Sequence, residues 1–261
     1  VNHSKKKGEL VSTIVIAGAA GRIGSALTEH FLGLGHNIIA IDGDEGRLHE
    51  LLEASSEFDG NLLIFNVDVY DVAELDKVLA KSIESFRSID SAIFAAYPVS
   101  QGWGAKFEDL DSKNVIEDSK HQLAAPIIFA QRVCLFFLEA GKGNLIFLGS
   151  IQGVSTPKFN HYEGLDIWSP LEYSMGKSAI IAATKYLAKY LGPRGIRVNA
   201  VSPGGISSGQ PAVFIDRYRA DCVSKGLLEP EDLLGIFEFL ISDSSHYVTG
   251  QNIVVDDGWS L

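Results

Sequence analysis

Seven short apolar runs recur along the chain, at residues 13–18, 37–41, 62–67, 91–96, 144–149, 196–201 and 252–255, rich in Ile, Val and Phe and separated by longer amphipathic stretches. A short run that is apolar throughout suits a strand buried on both faces, and parallel strands of that kind need crossover helices that cover the sheet. The alternation therefore predicts an α/β fold, a Rossmann-like doubly wound parallel seven-stranded sheet with helices on both faces. Helical periodicity places helices near 22–34, 44–55, 71–86, 106–140 with a break, 170–191 and 230–241. A chain of 261 residues, 46% of them hydrophobic, can bury one sizeable core. Residues 11–261 are accordingly read as a single domain and 1–10, with the basic run Lys5-Lys6-Lys7, as a flexible N-terminal tail.

The charge balance narrows the partners. A formal net charge of -11 opposes nonspecific attraction to nucleic acid or to an anionic membrane. No run reaches the roughly 18 uninterrupted apolar residues of a membrane helix, and the N-terminus lacks the apolar segment of a secretory signal, so a cytoplasmic protein is expected. Met175 is the only methionine, which suggests a processed or appended N-terminal end. Cys134 and Cys222 are the only cysteines, one in an apolar helical run and one in a flexible-looking segment. They suggest plain thiols, with no disulfide framework and no metal site.

The first strand runs from Ser12 to Ala17 into the turn Gly18-Ala19-Ala20-Gly21-Arg22-Ile23-Gly24 and then a helix. Glycines at such a turn let backbone N–H groups and a helix N-terminus approach a pyrophosphate, whose charge they favour. Asp42 follows Gly24 by 18 positions, at the end of the second strand. A carboxylate there can bind both ribose hydroxyls of NAD and repel the 2′-phosphate of NADP, so NAD(H) is favoured over NADP(H). Arg22 could meet either the pyrophosphate or a 2′-phosphate. Asp68-Val69 after the third strand could contact adenine, or Asp68 could cap the next helix. Further on, Ser169-Pro170-Leu171-Glu172 reads as a Ser cap, Pro at the first helical position and Glu closing a capping box. That start places Tyr173 in the first turn and Lys177 one turn later on the same face, where an ammonium can stabilise a phenolate and tune it for proton transfer.

The order of these features resembles the short-chain dehydrogenase/reductase family from about residue 12 to the C-terminus. The likeness comprises the glycine turn, Asp42, Ile89-Asp90, Ser150, Tyr173-Ser-Met-Gly-Lys177, Arg197-Val-Asn-Ala-Val-Ser-Pro203-Gly204 and Val248-Thr-Gly-Gln-Asn-Ile-Val-Val-Asp-Asp-Gly258. The glycine spacing is similar to the extended branch, whereas length and C-terminal segment are similar to the classical-length branch. The resemblance implies Tyr173 as acid/base, Lys177 as its pKa modulator and ribose ligand, and Ser150 as hydrogen-bonder to the reacting oxygen. It also implies that Pro203, Gly204 and Ile206 line the nicotinamide, and that the pair interconverts an alcohol and a carbonyl with a nicotinamide cofactor. Where the family has Asn-Asn-Ala-Gly, this chain has Phe94-Ala95-Ala96-Tyr97, which puts Ala95 and Ala96 at the cofactor and Tyr97 at cofactor and substrate. Gln122 stands where a helical Asn often completes a proton relay.

Ser150 and Tyr173 are 23 positions apart, longer than the family's usual spacing, and the extra segment Thr156–Trp168 carries aromatic, cationic and anionic groups. Its Pro-Lys-Phe…Tyr-Glu-Gly sequence, with Ala-Tyr-Pro after the fourth strand, is similar to dehydrogenases associated with flagellin and surface-glycan sugar modification. Gln152, His161, Tyr162, Glu163 and Gln210 are the substrate candidates beside Tyr97. The expectation is an NAD(H)-dependent oxidoreductase on a sugar or nucleotide-sugar related small molecule, paired as a homodimer or homotetramer through the helices around 121–140 and 170–191. Two other readings stay open: a non-catalytic nucleotide-binding protein, and an epimerase or dehydratase that retains NAD.

Overall fold

A computed structural model describes residues 11–58 and 60–261; the expected tail at 1–10 lies outside the described residues. Seven strands, β1 (Thr13–Ala17), β2 (Asn37–Asp42), β3 (Leu62–Asn66), β4 (Ser91–Phe94), β5 (Gly143–Leu148), β6 (Ile196–Pro203) and β7 (Asn252–Val255), form one sheet in the order β3-β2-β1-β4-β5-β6-β7. Every pairing is parallel. Because side chains alternate along a strand, β1 sends Val15 and Ala17 to one face and Ile14 and Ile16 to the other. The first face is covered by α3 (Val72–Phe86), α5 (Ala125–Ala140) and α6 (Leu171–Leu191), through Leu75, Phe129, Phe137 and Ile180. The second is covered by α1 (Arg22–Gly33), α2 (Glu45–Ala54) and α8 (Leu234–Ile241), through Leu27, Phe31, Leu48 and Phe237.

Chain order reverses between β1 and β4, the switch point at whose strand C-termini open α/β sheets bind ligands. A third cluster lies outside both layers. There Ile151, Tyr218, Leu227 and Trp259 pack with Phe214, which lies on α7 (Ala212–Ala220), a helix the periodicity had not marked. Its signal is only nine residues long with one apolar pair four apart, Phe214 and Tyr218, against the layer-facing stripes of the other helices.

Two expected features are corrected. The interruption expected in 106–140 falls before Ser112: a short 3-10 turn at Phe107–Asp109 precedes α4 (Ser112–Ser119), which continues through a π turn (Lys120–Ala124) into α5. Ser112–Ala140 is long and apolar enough by length and composition to cross a membrane, but Phe129, Val133 and Phe137 on it are spent on the sheet. Ser169 does not cap α6. Pro170 holds the cap position without a side-chain bond, and Ser169 Oγ donates instead to Gln152 Oε1 at 2.6 Å.

Candidate active site

The C-terminal ends of β1, β2, β4, β5 and β6 open into a cavity of about 1110 Å³. At one end the chain leaves β1 through Gly18, whose φ of 80° is a left-handed conformation that suits glycine. A Cβ on Gly18 would stand 2.4 Å from Ala96 N, and one on Gly24 would stand 2.0 Å from Gly18 O. The turn can therefore close onto β4 and start α1 only with hydrogen at both positions. Gly18, Gly21, Arg22 and Ile23 line the cavity, while Gly24 lies beneath the turn and does not.

Asp42 Oδ2 accepts from Ala20 N at 3.0 Å and Oδ1 accepts from Asp44 N at 3.1 Å, so the carboxylate fastens the glycine turn to the end of β2 while lining the cavity. Arg22 Nη1 reaches across the cleft and donates to Ser207 O at 2.5 Å. Asp68 and Val69 line the same end, and Asp68 accepts from Tyr70 N. The cap of α3 is Asp71, which accepts from Glu74 N, so Asp68 does not cap that helix. Arg47 also lines this end; sequence reasoning had passed over it, although it lies one turn into the helix that follows Asp42. Glycines that a Cβ would displace, an open cleft and a carboxylate at the end of β2 together fit a dinucleotide.

At the centre, Ser150 follows β5 and Tyr173 and Lys177 rise from the first turns of α6, all three in the cavity wall. Tyr173 hydrogen-bonds Ser150, which lowers its pKa, but burial outweighs this and raises it above the ordinary phenol value. Lys177 is 7% exposed, and burial brings its ammonium down to about 8. Its Nζ donates to Leu148 O at 2.9 Å and stands 5.5 Å from the centre of the Tyr173 ring. The resting arrangement thus keeps Tyr173 a neutral phenol, the form that can give a proton to a carbonyl oxygen.

Tyr97 is 47% exposed and meets Tyr173 edge-on at 5.4 Å and Trp103 at 5.5 Å. Ala95, Ala96, Pro203, Gly204 and Ile206 line the cavity on either side of this centre. Gln122 does not line it: its Nε2 donates to Pro98 O at 3.0 Å, holding the segment that carries Tyr97. The π turn gives the cavity His121 instead, whose Nδ1 is 3.2 Å from the Tyr70 hydroxyl.

The inner end is aromatic. Tyr162, Trp168, Phe214, Tyr218 and Trp259 line it with Gln152, His161 and Gln210. Gln210 Nε2 donates to Ile206 O at 2.8 Å. His161, one of the substrate candidates, is 1% exposed, with Nε2 2.6 Å from Asp221 Oδ2. Glu163 is exposed and is not part of the cavity lining; its carbonyl accepts from Arg217 Nη1 at 2.7 Å. Trp259 was missed by sequence reasoning although it directly follows Asp-Asp-Gly258. Among the described residues no cluster could hold a metal ion. Burial pushes the Cys134 thiol up to about 12, consistent with a plain thiol.

Residues 18–260 match the family described as enoyl-(acyl carrier protein) reductase. The chain is 38% identical to "post-translational flagellin modification protein A" of Campylobacter coli over 95% of this chain and 98% of that one. It is 24% identical to the 7alpha-hydroxysteroid dehydrogenase of Bacteroides fragilis over 95% and 94%. Among solved structures, a short chain dehydrogenase of Leptospira borgpetersenii with bound NAD+ superposes with a TM-score of 0.83 at 29% identity, covering 100% of both chains. The fold, the ordered Ser150, Tyr173 and Lys177, and these matches lead to one conclusion: the chain is an oxidoreductase that belongs to the short-chain dehydrogenase/reductase family.

Proposed function

We propose that the protein is an NAD(H)-dependent oxidoreductase that interconverts a secondary alcohol and a ketone on a sugar-related polar small molecule. The observation that carries this reading is the meeting of Ser150, a buried neutral Tyr173 and Lys177 in one cavity, between a glycine-turn end and an aromatic end bearing several hydrogen-bonding groups. Bound nicotinamide would supply a carbon that gives or takes hydride. Ser150 orients the substrate oxygen, and Tyr173 donates its proton to that oxygen as alcohol forms and recovers it in the reverse direction. Gly18, Gly21, Arg22, Ile23 and Asp42 would hold the dinucleotide, with Lys177 beside the nicotinamide ribose.

Asp42 supports NAD over NADP, because its carboxylate stands at the end of β2 where a 2′-phosphate would add a second negative charge. The aromatic inner wall supports a ring-bearing substrate, and the flagellin modification relative supports the sugar class. The acidic net charge accords with a cytoplasmic enzyme that leaves nucleic acid alone. Titrating purified protein with NADH and NADPH by fluorescence, then following absorbance with a panel of sugars, sugar phosphates and nucleotide sugars, tests the reading. NADH preference with sugar-dependent oxidation is expected; a protein that binds neither nucleotide overturns it.

A further inference from the structure

The long segment between Ser150 and Tyr173 is fastened to the opposite wall through Asp221, Arg217 and the Trp259 carbonyl. A 3-10 turn at Phe159–His161 turns the imidazole of His161 inward, and Asp221, the residue just past α7, meets its Nε2 at 2.6 Å. Lys158 Nζ stands 3.5 Å from the same Asp221 oxygen and donates to Trp259 O at 3.0 Å. Arg217, also on α7, donates to the carbonyls of His161 and Glu163 and so holds the backbone on either side of Tyr162. Phe214, Tyr218 and Trp259 surround the imidazole with ring centres 6.0, 5.7 and 6.0 Å away, which leaves it little freedom to rotate.

This fastening decides what His161 shows to the cavity. Hydrogen bonding from His161, followed by the nearby Lys158 charge, holds Asp221 below the usual carboxylate range, so at neutral pH the shared hydrogen sits on Nε2. A neutral imidazole with hydrogen on Nε2 carries a bare lone pair on Nδ1. Among the described residues Nδ1 makes no hydrogen bond, whereas Nε2 is taken up by Asp221. His161 is a residue of the cavity wall, and Nδ1 is the ring nitrogen that the Asp221 contact leaves over.

We infer that Asp221 is a positioning residue that fixes the tautomer of His161, so that Nδ1 accepts a hydrogen bond from a hydroxyl of the substrate. The inference rests on reading the cavity as the oxidoreductase site. A lone pair welcomes an O–H and repels a carboxylate or phosphate oxygen, so this wall selects for a hydroxylated part of the substrate remote from the reacting carbon.

The test has a spectroscopic arm and a kinetic arm. In 15N-labelled holoenzyme with NADH at about pH 8, His161 is expected to carry hydrogen on Nε2 and a bare lone pair on Nδ1. Asp221→Asn keeps the shape but presents an amide that can donate, and is expected to move the hydrogen to Nδ1. On the sugar that turns over best in the panel, that variant should raise KM tenfold or more with kcat within threefold. NADH affinity should be unchanged, and Asp221→Glu should restore most of the KM. Hydrogen on Nδ1 in the wild type, or a flipped tautomer with unchanged KM, overturns the inference. So does a wild type that binds NADH yet reduces only ketones lacking hydroxyls. Failure to bind NADH at all strikes the cofactor reading instead and leaves the tautomer measurement standing.

Discussion

Tyr173 and Lys177 show how far residue identity carries and where burial takes over. Their spacing places both on one face of α6, and both do line the cavity. Sequence could not show that burial raises the phenol, or that Lys177 spends a hydrogen bond on Leu148 O, because both depend on β5 lying against the helix. Tyr173→Phe keeps the ring and removes the transferable proton, so NADH binding should persist while turnover falls by about 10²-fold or more; turnover within threefold of wild type would contradict its role. Lys177 gives a pH prediction. Burial lowers its folded pKa from the ordinary 10.5 of a lysine to about 8, so between those values the unfolded chain binds a proton that the folded chain has released. Stability of the cofactor-free protein should therefore rise by about 2 kcal/mol from pH 8 to 10 relative to Lys177→Met. Denaturant melts of both proteins at the two pH values check the sign. Asp42 serves twice, as the proposed ribose ligand and as acceptor for Ala20 N and Asp44 N. Asp42→Ala should accordingly narrow the NADH to NADPH affinity ratio and also cost about 1 kcal/mol of stability, chiefly from the lost part-buried bond to Ala20 N; an unchanged ratio would leave only the structural role.

At the scale of elements, strands and long helices were legible and short irregular pieces were not. All seven apolar runs became strands within a few residues of their expected ends, because a parallel strand buried on both faces must be apolar throughout. The glycine turn was equally plain, since few other residues could occupy it. Gly24→Ala would drive a Cβ to 2.0 Å from Gly18 O, so the β1–α1 turn must open. NADH affinity should fall at least tenfold with a lowered Tm, read by fluorescence titration and thermal melting. The π turn at Lys120–Ala124 was hidden because its composition is that of ordinary helix; its effect is to aim His121 at the cavity and Gln122 at Pro98 O. The Ser169 cap failed for a related reason. A side-chain oxygen that can cap a helix can equally serve a distant acceptor, and Gln152 competes successfully for it.

For the molecule as a whole, the two apolar layers leave large side chains uncovered on neighbouring helices. Ile116, Leu123, Ile127 and Leu135 are exposed along Ser112–Ala140, as are Leu171, Met175, Tyr186 and Tyr190 on α6. A self-pairing surface there is the expected outcome, and light scattering after size exclusion should give two or four times 28.2 kDa; a monomer at micromolar concentration would refute it. Taken alone, the sequence determined the parallel α/β architecture, the β1–α1 nucleotide turn and the Tyr173–Lys177 pair, because each rests on periodicity or on neighbours a few residues apart, where backbone geometry dictates who meets whom. Tertiary structure alone decided the inner wall. His161, Tyr218, Asp221 and Trp259 meet there across up to 98 residues of chain, Glu163 is left out of the lining and Gln122 is turned aside. No local pattern encodes such a meeting, since it depends on how α7, the long segment before α6 and the C-terminal end pack together over the open ends of the strands.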